Sequence, residues 1–177
     1  IMALSAALKF GLLPAAARRE WLARQPRATL EQILRGDWWW TGRPEQFAPP
    51  GDWLVWLILS GRGWGKSRTG AEWLIDRVRR HPVDALGNRT EWLVIAETLN
   101  DARTICIEGN GGLLSVLHRL GYKIGKDFKY EKSPRLILRF TTGQVIYFQG
   151  ADSPDVGRGY NAAGAWNKAL LDNAARP

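Results

Sequence analysis

The sequence has almost none of the chemistry that staples small secreted domains or builds structural metal sites. Its single cysteine, Cys106, cannot close an intrachain disulfide, and two histidines without a second cysteine leave no zinc-ligand spacing. That pattern reads as an intracellular chain whose only metal would be an ion carried with a nucleotide. Long apolar runs are missing as well, since no stretch approaches the about 20 residues of a membrane span. The opening IMALSAALKFGLLPAAARR has no basic leader ahead of its apolar residues and is interrupted by Lys9 and Pro14, so it does not read as a signal peptide. A soluble protein is expected.

Positive charge and tryptophan are abundant. Lys and Arg number 25 against 17 Asp and Glu, a formal charge of +8, and there are 10 tryptophans. Such a balance suits a polyanionic partner, nucleic acid or nucleotide phosphate, or reflects host composition alone. With 177 residues, 45% of them hydrophobic, the chain is long enough for one domain with a real core plus an N-terminal arm.

Apolar residues Leu4, Leu8, Leu12, Leu22, Leu30, Ile33 and Leu34 recur at helical spacing with breaks at Pro14 and Pro26, which predicts a set of short helices in an arm over residues 1–37. The next stretch, GDWWWTGRPEQFAPPGDW, opens the main domain (38–177) as a linker that drapes its aromatics over the body of that domain. Trp38, Trp39 and Trp40 either pack against a core edge or stack on single-stranded bases.

From there strands and helices alternate. WLVWLILS (53–60) predicts a buried central strand, and GKSRTGAEWLIDRVRR a helix with Ala71, Leu74, Ile75 and Val78 in one apolar stripe. EWLVIAET predicts a second buried strand, and NDARTICIEGNGGLLSVLHRLG a helical region broken at Gly109 to Gly112. RLILRFTTGQVIYFQG reads as a hairpin turning at Thr142 and Gly143, and GYNAAGAW as one more strand. This order implies an α/β three-layer domain.

Between the first strand and the first helix lies SGRGWGKS: Ser60, Gly61, Arg62, Gly63, Trp64, Gly65, Lys66 and Ser67. A strand, a glycine-rich loop, Gly-Lys-Ser and a helix form the context of a P-loop NTPase. Small residues let backbone N–H groups converge on phosphates, and the helix N-terminus adds partial positive charge. Lys66 would reach the β- and γ-phosphates and the Ser67 hydroxyl would ligate Mg²⁺. Ser60 replaces the usual first glycine at a position that closes the strand and makes no close approach to phosphate. Arg62 is either a solvated base near phosphate or an arginine finger acting in cis.

RPEQ, GDWLVWLILSGRGWGKSRTGAEW, WLVIAETLNDARTICIEGNGGLL and QVIYFQGADSPDVGRG, taken together, resemble the large terminase subunit of tailed bacteriophages, in the branch of prophages and gene-transfer agents. The likeness spans about Trp38 to Trp166. It implies the N-terminal ATPase domain of a DNA-packaging motor, with a RecA/ASCE-like parallel-core sheet. In that family ATP hydrolysis drives double-stranded DNA through a portal into a procapsid, and a separate nuclease domain cuts the DNA. The resemblance also implies ATP and Mg²⁺ as cofactors, a portal protein and a small terminase subunit as partners, a homo-oligomeric ring on the portal, and the host cytoplasm as location. It makes Ser60 to Ser67 the Walker A loop, with Lys66 and Arg62 catalytic. Gln46 is then either an adenine-reading amide or an ordinary linker residue, and Arg158 a nucleotide sensor, a DNA contact or a structural turn residue.

One family element is replaced. Where a Walker B strand should end in Asp-Glu, for the Mg²⁺ shell and for water activation, this chain reads Gly164-Ala165-Trp166-Asn167-Lys168-Ala169. Protonated lysine does not ligate Mg²⁺ and alanine takes no proton; Asp172 is the remaining carboxylate that could stand in as a shifted ligand. The chain is therefore expected to hold ATP yet hydrolyse it weakly, as a truncated product without the later ATPase motifs or the nuclease domain. Arg119, Lys123, Lys126, Lys129, Lys132, Arg135 and Arg139 form a basic run that either grips DNA phosphates or is a solvated face. Two rival readings are another nucleic-acid-dependent P-loop enzyme, and a non-catalytic module docking on portal or small terminase through its helices and tryptophans.

Overall fold

The computed structural model describes residues 5–51, 53–84, 86–152 and 161–168. Two compact units divide the chain, Ile1–Ile58 and Leu59–Pro177.

In the first unit the predicted short helices form as α1 (Ala6–Gly11), α2 (Ala15–Ala23) and α3 (Arg27–Leu34), and a single helical turn, α4 (Trp38–Thr41), stands within the stretch expected as a linker. Ser5 caps α1 by accepting the Leu8 N–H at 3.2 Å, while Pro14 and Pro26 stand at the N-caps of α2 and α3, where a missing N–H costs nothing. The tryptophans of the linker find aromatic partners within this unit. Trp40 is buried, stacks on Trp21 at 5.6 Å and meets Phe10 edge-on at 5.5 Å, and Trp38 tilts against Phe47. An aromatic cluster gives helices this short a core that their own faces cannot supply.

The predicted central strand at 53–60 is absent. Trp53 and residues 55–60 adopt no regular structure, and Leu54, Val55, Leu57 and Leu59 are exposed, Leu54 at 97%. An apolar run signals a capacity for burial, but a central strand also needs neighbours for its backbone ladder. None of the sheet's strands pairs with this segment.

The second unit opens with α5 (Lys66–Arg80), followed by β1 (Glu91–Ala96), the short α6 (Leu99–Asp101), a π-helical segment (Ala102–Ile107) and α7 (Leu113–Arg119). Then come β2 (Phe128–Glu131), β3 (Ile137–Phe140), β4 (Val145–Gly150) and β5 (Ala162–Asn167). They make one mixed sheet of order β2-β3-β4-β1-β5, with β4, β1 and β5 parallel and β2 and β3 antiparallel to their neighbours. The architecture is α/β. The predicted hairpin is β3–β4, whereas β2, which carries only four residues, is an addition to the expected order.

Ala71, Leu74, Ile75 and Val78 are buried, so the apolar stripe of α5 faces the core as its spacing requires. They pack with Trp92, Val94, Leu138, Ile146 and Phe148 from one sheet face, together with Ala102, Cys106 and Ile107 of the π segment and Leu113, Val116 and Leu117 of α7. Cys106 is fully buried and acts as a small apolar side chain.

Candidate phosphate-binding site

The first turn of α5 is fixed from below by its neighbours. A Cβ at Gly70 would collide with the Trp166 indole of β5, and one at Gly164 would stand 2.9 Å from the Trp92 ring. Trp73 meets Trp92 edge-on at 6.3 Å, and its ring reaches to 3.8 Å from the Gly164 Cβ position. Gly70 near the end of β5 and Trp73 farther back along it mean that α5 runs antiparallel to the strand. The loop that feeds α5 therefore lies at the carboxyl ends of the parallel strands, where open α/β sheets place their ligands.

Within the loop, Gly63 and Gly65 adopt left-handed φ values of 79° and 95°, and Gly65 is the N-cap residue of α5. Such backbone turns N–H groups inward, and a side chain at either position would be strained. The Lys66 ammonium bends back over the loop and donates to Ser60 O at 2.8 Å and Gly61 O at 3.1 Å. Both of these partners are neutral carbonyls, and an anionic acceptor would hold an ammonium more strongly. Ser60 thus contributes its carbonyl, while its buried Oγ has no hydrogen-bond partner among the described residues. Gly61 and Arg62 are exposed; Trp64 and Ser67 are half-buried. Arg62 faces solvent, with no ion pair among the described residues.

Behind the loop, Glu72 is buried and carries two arginines. Arg68 donates to its Oε1 at 2.6 Å, and Arg119 donates to both oxygens at 2.7 Å. The glycine loop before α7 presses on the same place, since a Cβ at Gly111 would lie 3.3 Å from the Arg68 Cβ. Glu72, Gly70 and Trp73 of TGAEW therefore hold α5 against β5 and α7, a supporting role that sequence reading did not assign to them. Arg119, predicted in the basic run, is a half-buried ion-pair partner of Glu72.

The carboxyl ends of β1 and β4 are zipped together by Ala151 N–H to Ala96 O at 2.8 Å and Asp152 N–H to Glu97 O at 3.3 Å. At the end of β5, Lys168 continues the pairing through its N–H to Ile95 O at 2.8 Å. A lysine thus follows the strand that packs beneath the loop. Among the described residues no group of three or more His, Cys, Asp or Glu side chains converges on a metal position. The loop fits a phosphate and, through the Ser67 hydroxyl, one Mg²⁺ contact; among the described residues the end of β5 adds no carboxylate to a Mg²⁺ shell.

Gln46 belongs to the first unit, where it is buried and its Oε1 accepts the Arg43 N–H at 2.9 Å, closing the 3₁₀ turn Pro44–Gln46. Arg158, Ala169 and Asp172 lie outside the described residues. No helix among the described residues is long and apolar enough to cross a membrane. Comparison with protein families, with curated proteins and with solved structures gives no match.

Proposed function

We propose that this chain is the ATP-binding part of a viral DNA-packaging motor, the N-terminal ATPase domain of a large terminase subunit that works on double-stranded DNA with a portal protein. The observation that carries the nucleotide half of this reading is the Lys66 ammonium resting on the Ser60 and Gly61 carbonyls, over a left-handed glycine loop that enters a 15-residue helix. The motor half rests on the resemblance of the loop and its flanks to terminases.

ATP supplies the phosphoanhydride whose cleavage does the motor's work. The chain's own residues bind and orient it. Backbone N–H groups of 61–67 would cradle the phosphates, Lys66 would exchange its two carbonyls for phosphate oxygens, and the Ser67 hydroxyl would hold Mg²⁺. Arg62 swings onto the γ-phosphate. In this reading Lys168 replaces the carboxylate of the Mg²⁺ shell and Ala169 the one that would take a proton from water, so binding and hydrolysis are separable in this chain.

Phosphate release and ATP binding measured on the same preparation test this. Clear binding with Lys66-dependent turnover far below about 1 per second, the low end of ordinary enzyme rates, is expected. Motor-like turnover would reassign the water-activating group, and absence of binding by folded protein would remove the nucleotide reading.

A further inference from the structure

The basic run between residues 119 and 139 does not stay together in the fold. Arg119 is half-buried and paired with Glu72. Lys132 and Arg135 flank the β2–β3 tip, which the register puts at the carboxyl ends of β1 and β4, and Lys132 is tied to Glu108 at 3.0 Å. Lys123, Lys126, Lys129 and Arg139 go to the opposite, amino end of the sheet. There Lys129 and Arg139 are cross-strand partners on the face away from the core, and the turn before β2 is pinned by Thr141 N–H to Asp127 O at 3.0 Å.

Two further arginines, distant in sequence, arrive at this end. Arg89 precedes β1 and lays its stem across the β3–β4 turn, with its Cγ 2.8 Å from where a Gly143 Cβ would be. Arg79 comes with the C-terminus of α5, which Thr90 Oγ1 ties down by donating to His81 O at 2.6 Å. All six side chains are exposed. Acids share this end: Asp127 Oδ2 accepts the Lys123 N–H and the Asp84 carboxylate the Leu86 and Asn88 N–H groups, both keeping their charge, Glu91 accepts from Tyr147 OH, and Glu131 takes Arg139 at 3.4 Å.

We infer that this amino end of the sheet is a nucleic-acid backbone grip, set at the opposite end of the second unit from the phosphate loop. From β2 to the start of β1 is three inter-strand spacings, about 14 Å. That span suits side chains meeting the two phosphate rows beside a major groove about 12 Å wide. The set is Lys and Arg without an exposed aromatic, the composition of phosphate contact and not of base stacking. The inference leans on the DNA-motor reading only for the identity of the polyanion; the convergence of charge is independent of it.

The test is binding of random-sequence duplex DNA across a salt series, with ATP binding as the check of folding. Lys123→Glu/Lys126→Glu/Lys129→Glu should weaken binding at least about tenfold and flatten the slope of log K against log salt by about 2–3. Arg79→Glu/Arg89→Glu should do the same to a smaller degree, and Lys132→Glu/Arg135→Glu at the other end should leave affinity within about twofold. DNA binding that survives the amino-end reversals, or is lost only in the carboxyl-end variant, overturns this surface and leaves the motor reading standing. ATP binding without any DNA binding at low salt overturns both the surface and the DNA partner. Equal competition by poly-glutamate of matched charge would assign the face to an acidic protein instead.

Discussion

Gly70 of α5 lies directly beneath the Trp166 indole of β5, with no room for a Cβ between helix and strand. Because Gly70 sits one turn past the loop's Ser67, the contact sets how close the phosphate loop comes to the end of β5. Gly70→Ala is expected to destabilise the second unit by about 1–3 kcal/mol, as over-packing does, and to weaken ATP binding through the displaced helix. Denaturant unfolding with ATP titration checks this. The double change Gly70→Ala/Trp166→Leu should recover part of the loss.

Glu72 is the buried anchor for Arg68 and Arg119. Glu72→Ala leaves two partly buried guanidinium groups without their carboxylate. A loss of about 3 kcal/mol is expected, the low end for a broken buried pair because both arginines keep some solvent access. Equilibrium unfolding of Glu72→Ala beside Glu72→Gln measures it, and the glutamine variant should lose less.

The same apolar residue should behave differently in two places. Leu74 is fully buried and Leu54 is 97% exposed. Leu74→Ala should cost about 2–5 kcal/mol, whereas Leu54→Ala should stay within about 0.5 kcal/mol. A large loss at Leu54 would show that residues 53–60 pair into the sheet after all.

The two leucines also show how much of the fold is legible in sequence. The α5 stripe, β1 and the β3–β4 hairpin are readable because their burial follows from local period and turn chemistry. The apolar run at 53–60 misleads because the same signal says nothing about which strand lies alongside. β2 escapes a sequence reading because Phe128–Glu131 has two charged residues in four and is held by register with β3. The loop is legible as a motif. Its support by Glu72 and Arg119 is not, because that pair spans 47 residues and a salt bridge leaves no periodic trace.

Glu108 accepts from Lys132 Nζ and Tyr130 OH, both at 3.0 Å, and the Lys132 bond in particular holds its carboxyl below the ordinary value of 4.5. A depressed folded pKa gives stability that is present above the unfolded value and lost as pH falls through the folded one. Wild type should therefore lose stability relative to Glu108→Gln only below about pH 4.5. The difference should be flat from neutral pH down to that point, as unfolding at a series of pH values will show.

Calorimetric titration of ATP with Mg²⁺ into the wild-type chain and Lys66→Ala addresses the phosphate loop most directly. Saturable binding by wild type, weakened at least about tenfold when the charge-assisted contacts of Lys66 are removed, is the expected result. No heat of binding to well-folded wild type, or equal affinity in the two proteins, would contradict the assignment of residues 60–67 as a nucleotide-phosphate site.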